Sequence, residues 1–214
     1  TVKSLAAEAK NVGFKIMLTV HYSDTWADPA HQTKPQQWQS VNLDRLKDSV
    51  YAYTLKIMQD INPDYIQLGN EINGGFLWPQ GSIAYVTQFK ELLDTAAAAV
   101  RKVNPQTKII IHFAGFADAQ AFYTKIAGVD YDIIGLSYYP LWHGKNLDEL
   151  QQALIAISST QQKPIFIAET AYPFTFGWND WTNNVIGSED QILPQFAATP
   201  EGQKNYLLAL QKIV

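Results

Sequence analysis

Five continuous apolar, β-prone runs alternate with longer segments of helical periodicity, and this alternation constrains the fold more than any other feature of the sequence. Continuous apolar runs indicate strands buried on both faces, and helical segments between them indicate crossovers that join parallel strands. The predicted strands are Lys15–Tyr22, Tyr65–Glu71, Lys108–Ala114, Asp132–Tyr139 and Pro164–Thr170. The predicted helices are Thr1–Asn11, Leu43–Gln59, Ile83–Val103, Asp118–Ala127, Leu147–Ser158 and a last one from about Pro200.

Two α/β architectures fit this alternation, a closed (β/α)8 barrel and an open doubly wound sheet. No glycine-rich phosphate turn follows a predicted strand, which disfavours a nucleotide-binding open sheet. Polar and aromatic residues follow the apolar part of every strand, where barrel enzymes carry their chemistry. We therefore predict a (β/α)8 TIM barrel. Because only five strands can be counted, we expect residues 1–214 to form a single barrel catalytic domain that is truncated at both ends.

Composition excludes several classes of function. The 16 Lys and Arg against 20 Asp and Glu give a net charge of −4 without a long basic run, so we expect no nucleic-acid partner. The absence of cysteine excludes a disulfide scaffold, a thiolate zinc site and a cysteine nucleophile. No apolar run is long enough for a conventional membrane-spanning helix. The aromatic share of 13% favours ligands with flat, partly apolar faces, such as sugars.

Two glutamates end predicted strands, Glu71 in the segment GNE and Glu169 in AET. A carboxylate at the end of an apolar strand is costly unless it is paired or functional. One such residue could equally be a rim glutamate held by a neighbouring amide. Two of them, three strands apart in a barrel, can face each other across its mouth. Retaining glycosidases use a catalytic pair of carboxyl groups about 5 Å apart. One protonates the leaving oxygen, and the other attacks the anomeric carbon.

Four segments together resemble glycoside hydrolase family 53, the arabinogalactan endo-β-1,4-galactanases. They are HYSD with WADP at 21–29, GNEINGGFLW at 69–78, GLSYYPLWHG at 135–144 and ETAYP at 169–173. They keep the order of the family and imply that the chain covers barrel strands three to seven. An arginine on strand two and a tryptophan on strand eight of the family have no counterpart within these residues.

The resemblance implies a role for each matching residue. It makes Glu71 the acid/base and Glu169 the nucleophile. Asn70 matches an asparagine that hydrogen-bonds the 2-hydroxyl of the attacked sugar, and His21 matches a histidine that lines the site. We expect no metal at this site.

Further substrate contacts are expected from aromatic residues within the matching segments. Tyr138 or Tyr139 could place a phenol against the nucleophile, and the spacing does not decide which. Trp78 and Trp142 are the candidates for sugar platforms, and His143 could bond a sugar hydroxyl. Outside these segments, we expect His31 to be a surface residue. His112 could line the cleft or be a satisfied core histidine, and Trp26, Trp178 and Trp181 are expected to pack within loops.

By resemblance, the expected function is endo-hydrolysis of β-1,4-galactosidic linkages in (arabino)galactan, including pectic side chains, outside the cell or at its surface. The alternatives are a related retaining endo-glycosidase that acts on another β-linked glycan, such as mannan, xylan or glucan, and an inactive or carbohydrate-binding barrel fragment. The intact pair of glutamates favours an enzyme, whereas the missing strands favour a fragment that is inactive alone.

No cofactor is expected. Some members of the family stabilise a loop with calcium, and the segment from 177 to 200 carries oxygen ligands. These are Asn179, Asp180, Asn183, Asn184, Glu189 and Asp190. The closely spaced Asp/His/Asn pattern of the family is missing here, which argues against calcium.

Overall fold

A computed structural model describes residues 1–182 and 184–214. Five parallel strands form one sheet in the order β1-β2-β3-β4-β5, so each strand lies beside its neighbour in sequence. The strands are β1 (Met17–Val20), β2 (Tyr65–Leu68), β3 (Lys108–Ala114), β4 (Ile133–Ser137) and β5 (Ile165–Glu169).

Helices precede β1, connect each strand to the next and follow β5. They are α1 (Val2–Asn11), α2 (Leu43–Ile61), α3 (Val86–Val103), α4 (Ala119–Lys125), α5 (Pro140–His143), α6 (Leu147–Gln161) and α7 (Pro200–Ile213). Among residues 1–182 and 184–214, no helix combines the length and the apolar character needed to cross a membrane.

Local signals set the helix boundaries. The side chain of Asn42 caps α2 by accepting a hydrogen bond from the amide of Arg45, and Asn62 ends the same helix in the left-handed conformation. The predicted start of α3 at Ile83 is wrong by three residues, because Ser82 caps a separate 3-10 turn over Ile83–Tyr85 before the α-helix begins. Helix α5 was not predicted, although Pro140 at its first position is a typical start signal.

The two faces of the sheet differ in chemistry. Alternate residues, such as Ile66 and Leu68 of β2 and Ile109 and Ile111 of β3, are fully buried in the apolar core shared with the helices. The intervening residues face the concave side of the sheet. They include three buried polar side chains that hydrogen-bond to one another, Gln67, His112 and Ser137. The concave side therefore holds hydrogen-bonded polar side chains, whereas the convex side packs against the helices.

The sheet is a half-barrel rather than a closed one. Within the described residues, β1 pairs only with β2 and β5 pairs only with β4, so each outer strand has one unpaired edge. Phe166 of β5 remains 43% exposed, unlike the fully buried isoleucines of β3. The predicted α/β barrel architecture of five parallel strands with helical crossovers is confirmed.

Candidate active site

A cleft of about 540 Å³ lies at the carboxyl ends of the strands, and both Glu71 and Glu169 line it. Tyr139, Trp142 and Asp28 contribute to its walls. A second depression of about 500 Å³ lies at the amino ends of the strands, between residues such as Lys10, Asp64 and Lys108. Only the first of these two depressions brings the predicted pair of carboxylates together.

A left-handed turn after β2 aims Glu71 at this cleft. The strand was predicted to run to Glu71, but it ends at Leu68, because Gly69 has a φ of 84° and Glu71 itself has a φ of 48°. A Cβ on Gly69 would lie only 2.5 Å from the side chain of Ile72, so the turn requires glycine there. A positive φ is strained for glutamate, and such strain concentrates at functional sites.

The environment of Glu71 favours its protonated form. Burial raises the pKa of this carboxyl, and the negative charges of Glu169 and Asp28 raise it further. A hydrogen bond from Ser137 to Glu71 Oε1, 2.5 Å long, acts in the opposite direction by stabilising the carboxylate. A carboxyl whose pKa is raised in this way is suited to donate a proton.

A β-bulge turns Glu169 toward the cleft. In the pairing of β4 with β5, Leu136 lies opposite Ile167, but Ser137 lies opposite Glu169, so β5 carries one extra residue, Ala168. Without the bulge, regular alternation over Ile167, Ala168 and Glu169 would put Glu169 on the same face of the sheet as Ile167, which packs against the helices. The bulge instead places Glu169 on the concave face with Ser137.

The two adjacent tyrosines have different positions. The hydroxyl of Tyr139 donates a 3.0 Å hydrogen bond to Glu169 Oε2, so this phenol contacts the candidate nucleophile. Tyr138 is almost fully buried, and its hydroxyl donates to the carbonyl of Gly144. The structure therefore places Tyr139 in the cleft and Tyr138 in the core, because successive residues of an extended chain point to opposite faces.

Asn70 and His21 contact the same loop. Asn70 is fully buried and donates through Nδ2 to the carbonyl of Ala27 over 2.9 Å. His21 accepts a 3.0 Å hydrogen bond through Nδ1 from the amide of Ala27, and its ring packs against Trp26 at a centroid distance of 4.7 Å. In this structure both side chains fix the loop after β1 that contributes Trp26 and Asp28 to the cleft.

Of the two predicted tryptophan platforms, only Trp142 lines the cleft, where it is 60% exposed and packs edge-on to Tyr139. Trp78 lies outside the cleft lining, half-buried, with its indole N–H donating to the carbonyl of Gly74. Trp26, for which we expected loop packing, lines the cleft and is 70% exposed. His143 also lines the cleft, and its Nδ1 accepts from the amide of Tyr139.

Beneath Glu71 lies a buried polar layer. Sequence analysis left His112 open between the cleft and a satisfied core position, and it missed the partners Gln67 and Ser137. His112 is fully buried, with Nε2 2.8 Å from the hydroxyl of Ser137 and Nδ1 3.0 Å from the amide nitrogen of Gln67. Burial lowers the pKa of His112 to about 3, and His21 contributes to this shift. Strand alternation was the available signal, since Ser137 precedes Tyr139 by two residues and so shares its face.

The described residues offer no cluster of three or more His, Cys, Asp or Glu side chains that could hold a metal ion. Among the calcium candidates, Asp180 accepts hydrogen bonds from Thr182, and Asp190 accepts one from Ser188. Asn183 lies outside the described residues.

The chain is similar to known proteins in sequence and in fold. The model of "Glycosyl hydrolase family 53" matches residues 1–214. An arabinogalactan endo-β-1,4-galactanase of Cellvibrio japonicus is 36% identical over 100% of this chain and 61% of its own length. The GH53 catalytic domain of Ignisphaera aggregans superposes with a TM-score of 0.93 at 40% identity, covering 99% of this chain and 61% of that one.

More distant structures share only the fold. A psychrophilic family 10 endo-β-1,4-xylanase has a TM-score of 0.58 at 16% identity. The chain spans about 61% of the length of the Cellvibrio japonicus relative and of the Ignisphaera aggregans domain, in agreement with a half-barrel of five strands.

Proposed function

Since the chain belongs to glycosyl hydrolase family 53, we propose that Glu71 and Glu169 form the catalytic pair of an endo-acting β-1,4-galactanase that retains anomeric configuration. The observation that carries this proposal is the asymmetry of two carboxylates in one cleft. Burial raises the pKa of Glu71, whereas Glu169 accepts a hydrogen bond from the Tyr139 phenol. Two carboxyl groups in different environments can divide the roles of acid and nucleophile.

In the first step, Glu169 attacks the anomeric carbon and forms a covalent glycosyl ester, while Glu71 donates its proton to the departing glycosidic oxygen. In the second step, the Glu71 carboxylate takes a proton from water, and the resulting hydroxide-like oxygen displaces Glu169 from the sugar. Tyr139 orients the attacking carboxylate through its hydrogen bond to Oε2. The exposed indoles of Trp26 and Trp142 supply flat apolar faces to the polymer.

We propose that these residues work within a closed eight-stranded barrel. The unpaired edges of β1 and β5 and the 61% coverage of the Cellvibrio japonicus galactanase support this. The activity measurements below therefore use what we call the closed barrel. It consists of residues 1–214 joined to the remaining strands of the domain, supplied by flanking sequence of the gene or by the Cellvibrio japonicus relative.

The test is hydrolysis of β-1,4-galactan, β-1,4-mannan and xylan by the closed barrel, followed through reducing ends and through the anomer first formed by NMR. We expect cleavage of galactan to internal fragments, with the β-anomer appearing first. Cleavage of mannan or xylan in preference to galactan would overturn the substrate assignment. The α-anomer appearing first would overturn the retaining mechanism, and no cleavage of any of the three would leave a carbohydrate-binding barrel.

A further inference from the structure

Three hydrogen bonds close a ring around Glu71. Its backbone N–H donates to Nδ1 of His112 over 3.3 Å, and Nε2 of His112 lies 2.8 Å from the hydroxyl oxygen of Ser137. The Ser137 hydroxyl in turn donates to Glu71 Oε1 over 2.5 Å. Both His112 and Ser137 are shielded from solvent, so the ring links the backbone of Glu71 to its own carboxyl through buried groups.

The donors around Nδ1 of His112 set the direction of this ring. The side-chain amide nitrogen of Gln67 lies 3.0 Å from Nδ1. The same atom lies 3.1 Å from each of two oxygens, the Gly69 carbonyl and Asn70 Oδ1, so it is the nitrogen of the amide and not its oxygen. The Glu71 N–H is a second donor to the same nitrogen. Asn70 Oδ1 also lies 3.2 Å from Nδ1. The backbone N–H of Glu71 has a fixed direction and points at Nδ1, so a hydrogen on that nitrogen would face it. Nδ1 therefore accepts, and the single hydrogen of the neutral ring is on Nε2.

This tautomer decides where the hydrogen of Ser137 lies. Because His112 Nε2–H donates to the Ser137 oxygen, the serine hydrogen is directed to Glu71 Oε1, and that oxygen acts as an acceptor. We infer that the proton which Glu71 transfers is carried by Oε2, and that Ser137 and His112 are positioning residues that hold it there. This inference rests on the proposed function, in which Glu71 is the acid/base.

The remaining charged and titratable groups around this carboxyl come from three other elements. Glu169 at the end of β5 and Asp28 in the loop after β1 raise the pKa of Glu71 through their negative charge. The charge of Glu71 in turn contributes to the raised pKa of the Tyr139 phenol, which follows β4. The Ser137 hydroxyl hydrogen-bonds to His112 and Glu71, but not to any of these three groups. Its removal therefore acts on Glu71 through the lost hydrogen bond to Oε1, which stabilises the carboxylate.

The first experiment compares Ser137→Ala with Ser158→Ala in the closed barrel. Ser158 is the matched control because its hydroxyl donates to the carbonyl of Lys163, at the end of α6 and away from the cleft. We expect Ser137→Ala to move the basic limb of the kcat/KM profile to higher pH and to lower kcat/KM on galactan roughly tenfold to a hundredfold. On an aryl galactobioside with a good leaving group, which needs no protonation, the loss should be less than about threefold. An unmoved basic limb would overturn the inference.

The second experiment reads the tautomer directly from the imidazole ¹⁵N shifts of His112 in the wild-type closed barrel. We expect a protonated Nε2 and an unprotonated Nδ1 across the pH range of activity. A protonated Nδ1 would reverse the ring, place the proton on Oε1 and overturn the inference. His112→Gln, which keeps an N–H near the Nε2 position, should retain more activity than His112→Leu.

The two experiments separate this inference from the proposed function. If the wild-type closed barrel cleaves none of the glycans, the proposed function fails. The proton assignment is then still decided by the ¹⁵N shifts of His112 and by a ¹³C titration of the Glu71 carboxyl in the wild type and in Ser137→Ala. If the wild type cleaves galactan but Ser137→Ala behaves like Ser158→Ala, the inference fails and the galactanase assignment stands.

Discussion

The hydroxyl of Tyr139 donates a hydrogen bond to Oε2 of Glu169 across 3.0 Å, while the adjacent Tyr138 directs its hydroxyl to a backbone carbonyl in the core. This difference between neighbours provides a matched pair of substitutions, each of which removes one phenolic oxygen. Only one of the two oxygens contacts a carboxylate in the cleft.

We expect Tyr139→Phe to lower kcat on galactan by about tenfold to a hundredfold, because a hydrogen bond to a charged group contributes about 1.5–3 kcal/mol. Tyr138→Phe should leave kcat within about twofold and affect mainly the melting temperature. Steady-state kinetics and thermal melts of both variants test this. Equal losses of kcat in the two variants would show that the Tyr139–Glu169 contact has no particular role.

Glu169→Ala should abolish turnover of galactan in the closed barrel, because no covalent intermediate can form. Added azide should then yield the α-galactosyl azide, since a small anion can occupy the vacated position. Glu71→Ala should instead retain the first chemical step on an aryl glycoside with a good leaving group. Glu149→Ala, on the exposed side of α6, is the control for loss of a carboxylate. A folded Glu71→Ala variant that fails equally on galactan and on the activated substrate would contradict the assignment.

Asp28→Asn should move the basic limb of kcat/KM to lower pH. The negative charge of Asp28 raises the pKa of Glu71, so its removal makes Glu71 lose its proton at lower pH, and activity falls earlier on the alkaline side. Asparagine keeps the side-chain oxygen that accepts from the amide of Ala30. The pH profile of the variant on galactan is the measurement, and a basic limb that moves to higher pH would contradict the electrostatic argument. The shift is opposite in sign to that expected for Ser137→Ala.

Trp142→Ala should raise KM for galactan by about threefold to tenfold with a smaller change in kcat, because stacking on an aromatic face contributes about 0.5–1.5 kcal/mol. Trp181→Ala is the matched control, since this side chain is 91% exposed and lies outside the cleft lining. Initial rates over a range of galactan concentrations distinguish the two. A larger effect of Trp181→Ala would move the sugar platform to the loop after β5.

Residues 1–214 expressed alone should associate or remain inactive on galactan, because β1 and β5 each present an unpaired edge and Phe166 remains 43% exposed. Light scattering, a thermal melt and a galactan assay test this, with the closed barrel as the comparison. A monomer that melts cooperatively and cleaves galactan would refute the need for further strands.

The sequence by itself determined the five strands and the helices between them, because continuous apolar runs and helical periodicity depend on local spacing alone. All five predicted strands are present, and β3 has its predicted bounds of Lys108–Ala114. The same spacing predicted that Glu71 and Glu169 would meet at one end of the sheet. It could not separate Tyr138 from Tyr139, because both follow the apolar part of β4 and only the register of the strand assigns each to a face.

The orientation of the two glutamates was decided only by the tertiary structure. The extra residue in β5 that turns Glu169 inward is defined by its pairing with β4. The hydrogen bonds among His112, Ser137 and Glu71 join two separate strands, β3 and β4, to the turn after β2. The spacing of apolar residues in the sequence predicts which side chains are buried, because the geometry of a helix or strand places residues of that spacing on one face. Hydrogen-bond partners are far apart in sequence, and they are fixed only when the strands are in register.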